Sequence, residues 1–187
     1  MSKKPKEYAI SPFTTGRQIR EVRKSVGMTQ KEFAAFAGVS TPTVERWEGS
    51  DGKITGPIVT LLALITRDPD LPEKMTIPAN KLKQRLYYMH DDMICTVIDV
   101  DDLAGRVEIH NYTANLLLRA FGKNTAPTYE DYEEFLESRC FPRTRDKIKL
   151  ELARLDIPFY DPRLIIEKTQ GRMNDDHFWI RMDGVLK

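Results

Sequence analysis

Two folds in series are predicted for this chain: an all-α domain at the N-terminus, then an α+β domain built as an antiparallel meander followed by helices. Three observations carry the prediction. Residues 14–66 hold apolar side chains at one-turn spacings, punctuated by Gly27, Gly38 and a glycine-rich loop. Residues 86–112 hold β-rich runs instead. Between them the stretch D-P-D-L-P-E-K-M-T-I-P-A-N contains three prolines, which break helices and suit a linker. A length of 187 residues with 41% hydrophobic content is enough for two packed cores. The expected order is a flexible basic arm over 1–12, a helical domain over 13–70, a linker over 71–80 and the α+β domain over 81–187.

The arm carries Lys3, Lys4 and Lys6 and no periodic apolar pattern. Thr14 or Thr15 then opens a helix with Ile19, Val22 and Val26 on one face and Arg17, Arg20, Arg23 and Lys24 on the other, ended by Gly27. Thr29 caps a second helix in a reciprocal box with Glu32, with Met28 and Phe33 as the hydrophobic staple. Gly38 supplies the backbone freedom for a sharp exit. Ser40 caps a third helix whose first turn accommodates Pro42. Val44 and Trp47 point inward, which leaves Thr41, Pro42, Thr43, Glu45 and Arg46 outward. Two helices joined by such a turn form a helix-turn-helix unit, whose second helix can lie in a DNA major groove.

The segments T-Q-x-E-F-A from Thr29, G-V-S from Gly38 and T-V-x-R-W-E from Thr43 resemble the xenobiotic-response-element, or lambda-repressor-like, helix-turn-helix family. The resemblance implies a DNA-binding regulator in which Gln30, Ser40 and Thr43 position the DNA backbone and Thr41, Pro42, Glu45 and Arg46 read bases. Arg46 is the strongest candidate, because a guanidinium bonds guanine in bidentate fashion. Lys53, in the loop after Glu48, is a candidate phosphate contact. Pro57 then opens a helix with Ile58, Leu61, Leu62 and Ile65 inward. Trp47-Glu48, the basic loop and G-P-x-x-x-L-L-x-L from Gly56 resemble the MqsA-like and HigA-like antitoxin autorepressors.

In the second domain L-Y-Y-M-H, M-I-C-T-V-I-D-V and R-V-E-I-H-N-Y read as three strands, with D-D-L-A-G as the hairpin connection between the last two. Helical segments are expected at Leu116–Phe121, Tyr129–Ser138 behind Thr128 as cap, Arg145–Leu155 and Pro162–Lys168 behind Asp161. D-H-F-W-I-R-M alternates well enough to be a strand returning to the sheet. The strings N-Y-T-x-N-L-L-x-R-A-F-G from Asn111, P-T-Y-E-D-Y-E-E-F-L-E-S-R-C-F-P-R-T-R-D-K from Pro127, P-F-Y-D-P from Pro158 and K-T-x-G-R-M-x-x-D-x-F-W-I from Lys168 resemble a small Firmicutes protein found beside HipA-type kinase toxins. That resemblance implies a protein partner, for which Arg139, Arg143 and Arg145 are the candidate contacts.

Charge divides unevenly around a net +1: residues 13–66 carry seven basic and five acidic side chains, residues 81–187 seventeen and nineteen. DNA affinity belongs to the first third, and so small an excess favours a homodimer. No apolar run nears the roughly 18 residues of a membrane span, and two isolated cysteines, Cys95 and Cys140, fit reduced thiols in the cytoplasm. His90, His110 and His177 are scattered, so neither metal nor cofactor is expected. Cys140 among Arg139, Arg143 and Arg145 could have a lowered pKa; the phosphate cradle of cysteine phosphatases, however, needs one residue more before its arginine than separates Cys140 from Arg145. The leading expectation is an autorepressing, antitoxin-like transcriptional regulator and not an enzyme. The alternatives are an adaptor whose helix-turn-helix no longer binds DNA, and a cysteine-dependent enzyme through Cys140.

Overall fold

Side chains at Thr15, Thr29 and Thr128 each accept from the backbone N–H three residues on, and the backbone N–H of each threonine donates to that residue's side chain, so three helices start at complete capping boxes. The computed structural model describes residues 6–183, in two compact units that divide between Thr76 and Ile77. In the first, β1 (Thr14–Thr15), α1 (Gly16–Ser25), α2 (Gln30–Phe36), α3 (Thr41–Glu48), β2 (Lys53–Ile54), α4 (Pro57–Arg67) and α5 (Leu71–Met75) follow in order. Ile19, Phe33, Ala34, Val44, Ile58, Val59, Leu62 and Ile65 form its core. Val59 takes an inner place that the sequence pattern assigned to Leu61, which is only half-buried.

Both turns of the motif close in the same way. Gly27 (φ 70°) and Gly38 (φ 66°) adopt left-handed backbone after α1 and α2. The residue after each reaches back across the helix end, Met28 N–H to Arg23 O at 3.2 Å and Val39 N–H to Ala34 O at 2.9 Å.

In the second unit β3 (Gln84–His90), β4 (Met93–Asp101) and β5 (Arg106–Asn111) form the meander, and β6 (Phe178–Met182) returns antiparallel to β3, giving the order β5-β4-β3-β6. α6 (Tyr129–Ser138), α7 (Ile148–Arg154) and α8 (Pro162–Thr169) intervene. Leu86, Tyr88, Ile98, Val100 and Ile180 of the sheet share one core with Tyr132, Phe135, Leu136, Ile165 and Ile166 of α6 and α8. The opposite sheet face carries Tyr87, Met89 and Val97 and a buried Arg85–Asp99 ion pair at 2.6 Å. An all-α unit followed by an α+β unit is therefore the fold.

Several expectations need correction. The loop after Glu48 is not only turns, because Lys53–Ile54 pairs with Thr14–Thr15 as a short ribbon. The proline-rich stretch does hold a helix, α5, since Pro72 lies in its first turn, where no intrahelical donor is lost. Leu116–Phe121 is helical only as a 3-10 turn over Leu116–Leu118. α7 starts at Ile148, not Arg145, behind Lys147 in left-handed backbone. Within the proposed arm, Lys3 and Lys4 lie outside the described residues; Arg67 donates to Ala9 O, and Ile10 packs on the helical core, so the chain is anchored from Ala9 onward.

Candidate nucleic-acid interface

α3 presents two unlike sides. Val44 and Glu48 are buried, and Trp47 packs against the core, while Pro42, Glu45 and Arg46 are exposed and Thr41 and Thr43 half-exposed. One helix thus offers five side chains on a face that the rest of its unit leaves at least partly open.

The inner side is fixed by charge as well as by packing. Glu48, at the last turn of α3, accepts from Arg23 of α1 at 2.6 and 3.1 Å and from Gln30 of α2 at 2.9 Å. Arg23 also donates to Met28 O at 2.7 Å, and Arg20 to Glu48 O at 2.7 Å. Burial alone would raise the Glu48 carboxyl, but the hydrogen bonds from Arg23 and Gln30 and the charges of Arg23 and Arg20 outweigh it and hold Glu48 below the ordinary carboxylate range. Arg23 is correspondingly raised, chiefly by its bond to Glu48. All three helices of the motif meet at one carboxylate. Gly16 allows the same approach from the other end of α1: a Cβ there would lie 2.2 Å from Trp47 O.

Arg23 corrects the sequence reading, which put it on the open polar face; it is 8% exposed. Gln30 does stand beside α3, with its amide nitrogen committed to Glu48. Ser40 is the N-cap of α3 but makes no cap hydrogen bond, its hydroxyl lying 2.9 Å from Thr43 Oγ1. Lys53 is exposed on β2, its ammonium 4.4 Å above the Phe13 ring. A signal for Arg23 was available, since Ile19, Val22, Arg23 and Val26 follow one helical stripe.

The second unit separates the residues that the sequence grouped. Cys140 is buried and its thiol is pushed up to about 12, by burial first and by Glu137 and Asp161 next, against the weaker influence of Arg139 and Arg143. It is a poor thiolate, contrary to the lowered pKa that its arginine neighbours suggested. Arg139 is buried too, and it cannot form part of a docking surface, because its guanidinium is consumed by Asp176 at 2.6 Å, Gly171 O at 2.8 Å and Phe178 O at 3.1 Å. Arg143 is paired with Glu137 at 2.7 Å and lies 4.6 Å from the Tyr160 ring. Arg145 is exposed beside Phe141. His90 and His177, far apart in sequence, face one carboxylate, Asp91, at 3.6 and 3.1 Å. Among the described residues no group of three side chains is disposed to hold a metal ion, and no helix is long and apolar enough to cross a membrane.

A family model described as helix-turn-helix, of the lambda-repressor-like kind, matches residues 19–66, from the buried face of α1 to the end of α4. A search of curated proteins gave no match.

Proposed function

We propose that this chain is a sequence-specific DNA-binding transcriptional regulator that represses its own operon, one of the toxin-antitoxin type, as a homodimer. The single observation that carries the DNA-binding reading is the two-sidedness of α3: Glu48 is clamped by Arg23 and Gln30, and Pro42, Glu45 and Arg46 are left exposed on a helix of fixed orientation. The helix-turn-helix match over residues 19–66 supports it. In this reading Thr41, Pro42, Glu45 and Arg46 face base edges, while Gln30, Ser40, Thr43 and Lys53 meet the phosphate backbone. The antitoxin role and a HipA-type kinase partner rest on the sequence resemblances alone. The small positive excess of the helical unit is the reason for a dimer.

Fluorescence anisotropy with the duplex upstream of the chain's own gene tests the proposal. Arg46→Ala is expected to cost about 1–3 kcal/mol at the specific site and to relax preference at one base pair, whereas Lys53→Ala weakens all sequences alike. Equal, sequence-independent losses from both would make Arg46 a phosphate contact. Absence of salt-dependent binding to that duplex would favour the adaptor instead. Copurification with a HipA-type kinase encoded nearby tests the partner.

A further inference from the structure

The second unit contains a small cleft that DNA binding does not use. It lies between the segment that leaves α6 and the loop that joins α8 to β6, and encloses about 250 Å³. Phe141, Pro142, Ile165 and Met173 supply apolar lining, and the exposed Arg145 and Arg172 stand at the cleft together with one carboxylate, Asp175.

Its two walls are tied together from below. Arg139, the C-cap residue of α6, donates through Nε and Nη2 to Gly171 O at 3.1 and 2.8 Å and through Nη1 to Asp176 at 2.6 Å. Gly171 has φ 60°, and a Cβ there would come within 3.2 Å of Arg139 Cβ, so glycine permits both the turn and the approach. The cleft therefore has a rigid support.

The two exposed guanidiniums are oriented but unneutralised. Arg145 lies 5.8 Å from the Phe141 ring centroid, and Arg172 4.7 Å from that of Trp179, with its Nε on Gln170 Oε1 at 3.0 Å. Among the described residues neither makes an ion pair, whereas Arg143, close by in sequence, is paired with Glu137. Stacking on an aromatic ring orients a guanidinium and leaves its planar fork for a carboxylate. The volume falls below the range of about 300–1,000 Å³ usual for small-molecule sites and suits one apolar side chain.

We propose that this cleft docks an acidic peptide segment of a partner protein, with one apolar side chain inside it and flanking carboxylates on Arg145 and Arg172. The inference rests on the reading of the second unit as a partner module and is independent of DNA binding. Charge favours a peptide over a nucleic acid: residues 81–187 carry nineteen acidic against seventeen basic side chains, which repels an extended polyanion, while at the cleft the two unpaired arginines outnumber Asp175 and attract a short acidic segment.

The test uses the full chain and a fluorescein-labelled peptide in which a leucine is flanked on each side by two glutamates, read by anisotropy at low salt. Changing Arg145→Gln together with Arg172→Gln is expected to weaken binding roughly tenfold or more, the loss of two charge-assisted contacts. Arg106→Gln, which removes the same charge from β5, at the opposite edge of the sheet from β6, is expected to leave binding unchanged, and serine in place of the peptide's leucine to weaken it. Thermal unfolding of each variant monitors folding. The proposal is overturned by undiminished binding to the double variant, by an equal loss with Arg106→Gln, by no binding at millimolar peptide, or by more effective displacement with random duplex DNA than with unlabelled peptide. Peptide binding without kinase copurification keeps the cleft and removes the kinase; loss of peptide binding with promoter binding intact removes the cleft alone.

Discussion

Each unit is braced by a buried arginine, and the two arginines do different work. Arg23 and Arg139 are both 8% exposed, yet the Glu48 side chain is 2% exposed and the Asp176 side chain 27%. Arg23–Glu48 closes a continuous motif, so that one carboxylate fixes three consecutive helices and the attitude of α3. Arg139 instead ties a helix end to the approach of β6 and divides its bonds between Asp176 and two backbone carbonyls. Arg23 depends chiefly on one buried carboxylate and Arg139 spreads its bonds over several acceptors, while the α+β unit has its own buried one-to-one pair in Arg85–Asp99 on the other face of the sheet.

The largest expected effect breaks that comparison at its stronger end. Glu48→Ala leaves Arg23 buried without its carboxylate and is expected to cost about 3–5 kcal/mol. Asp176→Ala leaves Arg139 bonded to Gly171 and Phe178 and is expected to cost less, about 1–3 kcal/mol. The chain has two tryptophans, Trp47 in the first unit and Trp179 in the second. Thermal unfolding in Trp179→Phe and Trp47→Phe backgrounds therefore reports each unit separately. Equal shifts of both signals on Glu48→Ala would show that the units do not unfold independently.

The same contrast explains what was legible in the sequence. Thr29, Thr128 and Asp161 were readable as caps because a cap acts within three residues of itself. The meander was readable from β-rich runs such as Leu86–His90, and the returning strand from alternation at Phe178–Met182. Arg23 was not, because its partner Glu48 lies outside any local window, although a charge inside the Ile19, Val22, Val26 stripe marked the position. Arg139 failed for the same reason, its partners lying in the loop before β6 and at the first residue of that strand. α5 was missed by a different route: Pro72 was read as a breaker while Pro57, also in a first helical turn, was read as a starter. The Arg145 and Arg172 cleft needs two segments that only the fold brings together.

Acid should sharpen the comparison. Glu48 lies below its ordinary 4.5, since its arginine and glutamine partners outweigh burial. Asp176 lies below 3.8, chiefly through its hydrogen bond from Arg139, with burial opposing. A depressed folded-state pKa means that the unfolded chain binds more protons in the window between the two values. Each contribution is thus complete above the ordinary pKa and lost as pH falls through the folded one. Trp47-monitored stability should begin to decline below pH 4.5 and Trp179-monitored stability below pH 3.8. Glu48→Gln should flatten the first profile and leave the second unchanged; an unaltered Trp47 profile would remove Glu48 from the acid response.

The smallest expected effect compares two helix starts. The Thr128 hydroxyl accepts from Asp131 N–H at 3.1 Å and the Thr128 backbone N–H donates to the Asp131 carboxylate at 2.7 Å, so Thr128→Ala should destabilise the second unit by about 1 kcal/mol. Ser40 occupies the same position before α3, but its hydroxyl faces Thr43 Oγ1 and makes no cap bond. Ser40→Ala should therefore change stability by only about a few tenths of a kcal/mol, as at an ordinary surface position. If Ser40 meets a phosphate, as proposed, the same change should weaken DNA binding for all sequences alike and leave the salt dependence unchanged, because an uncharged hydroxyl releases no counterion. A stability loss equal to that of Thr128→Ala, with DNA affinity unchanged, would make Ser40 an ordinary cap and move the phosphate contact elsewhere on the motif.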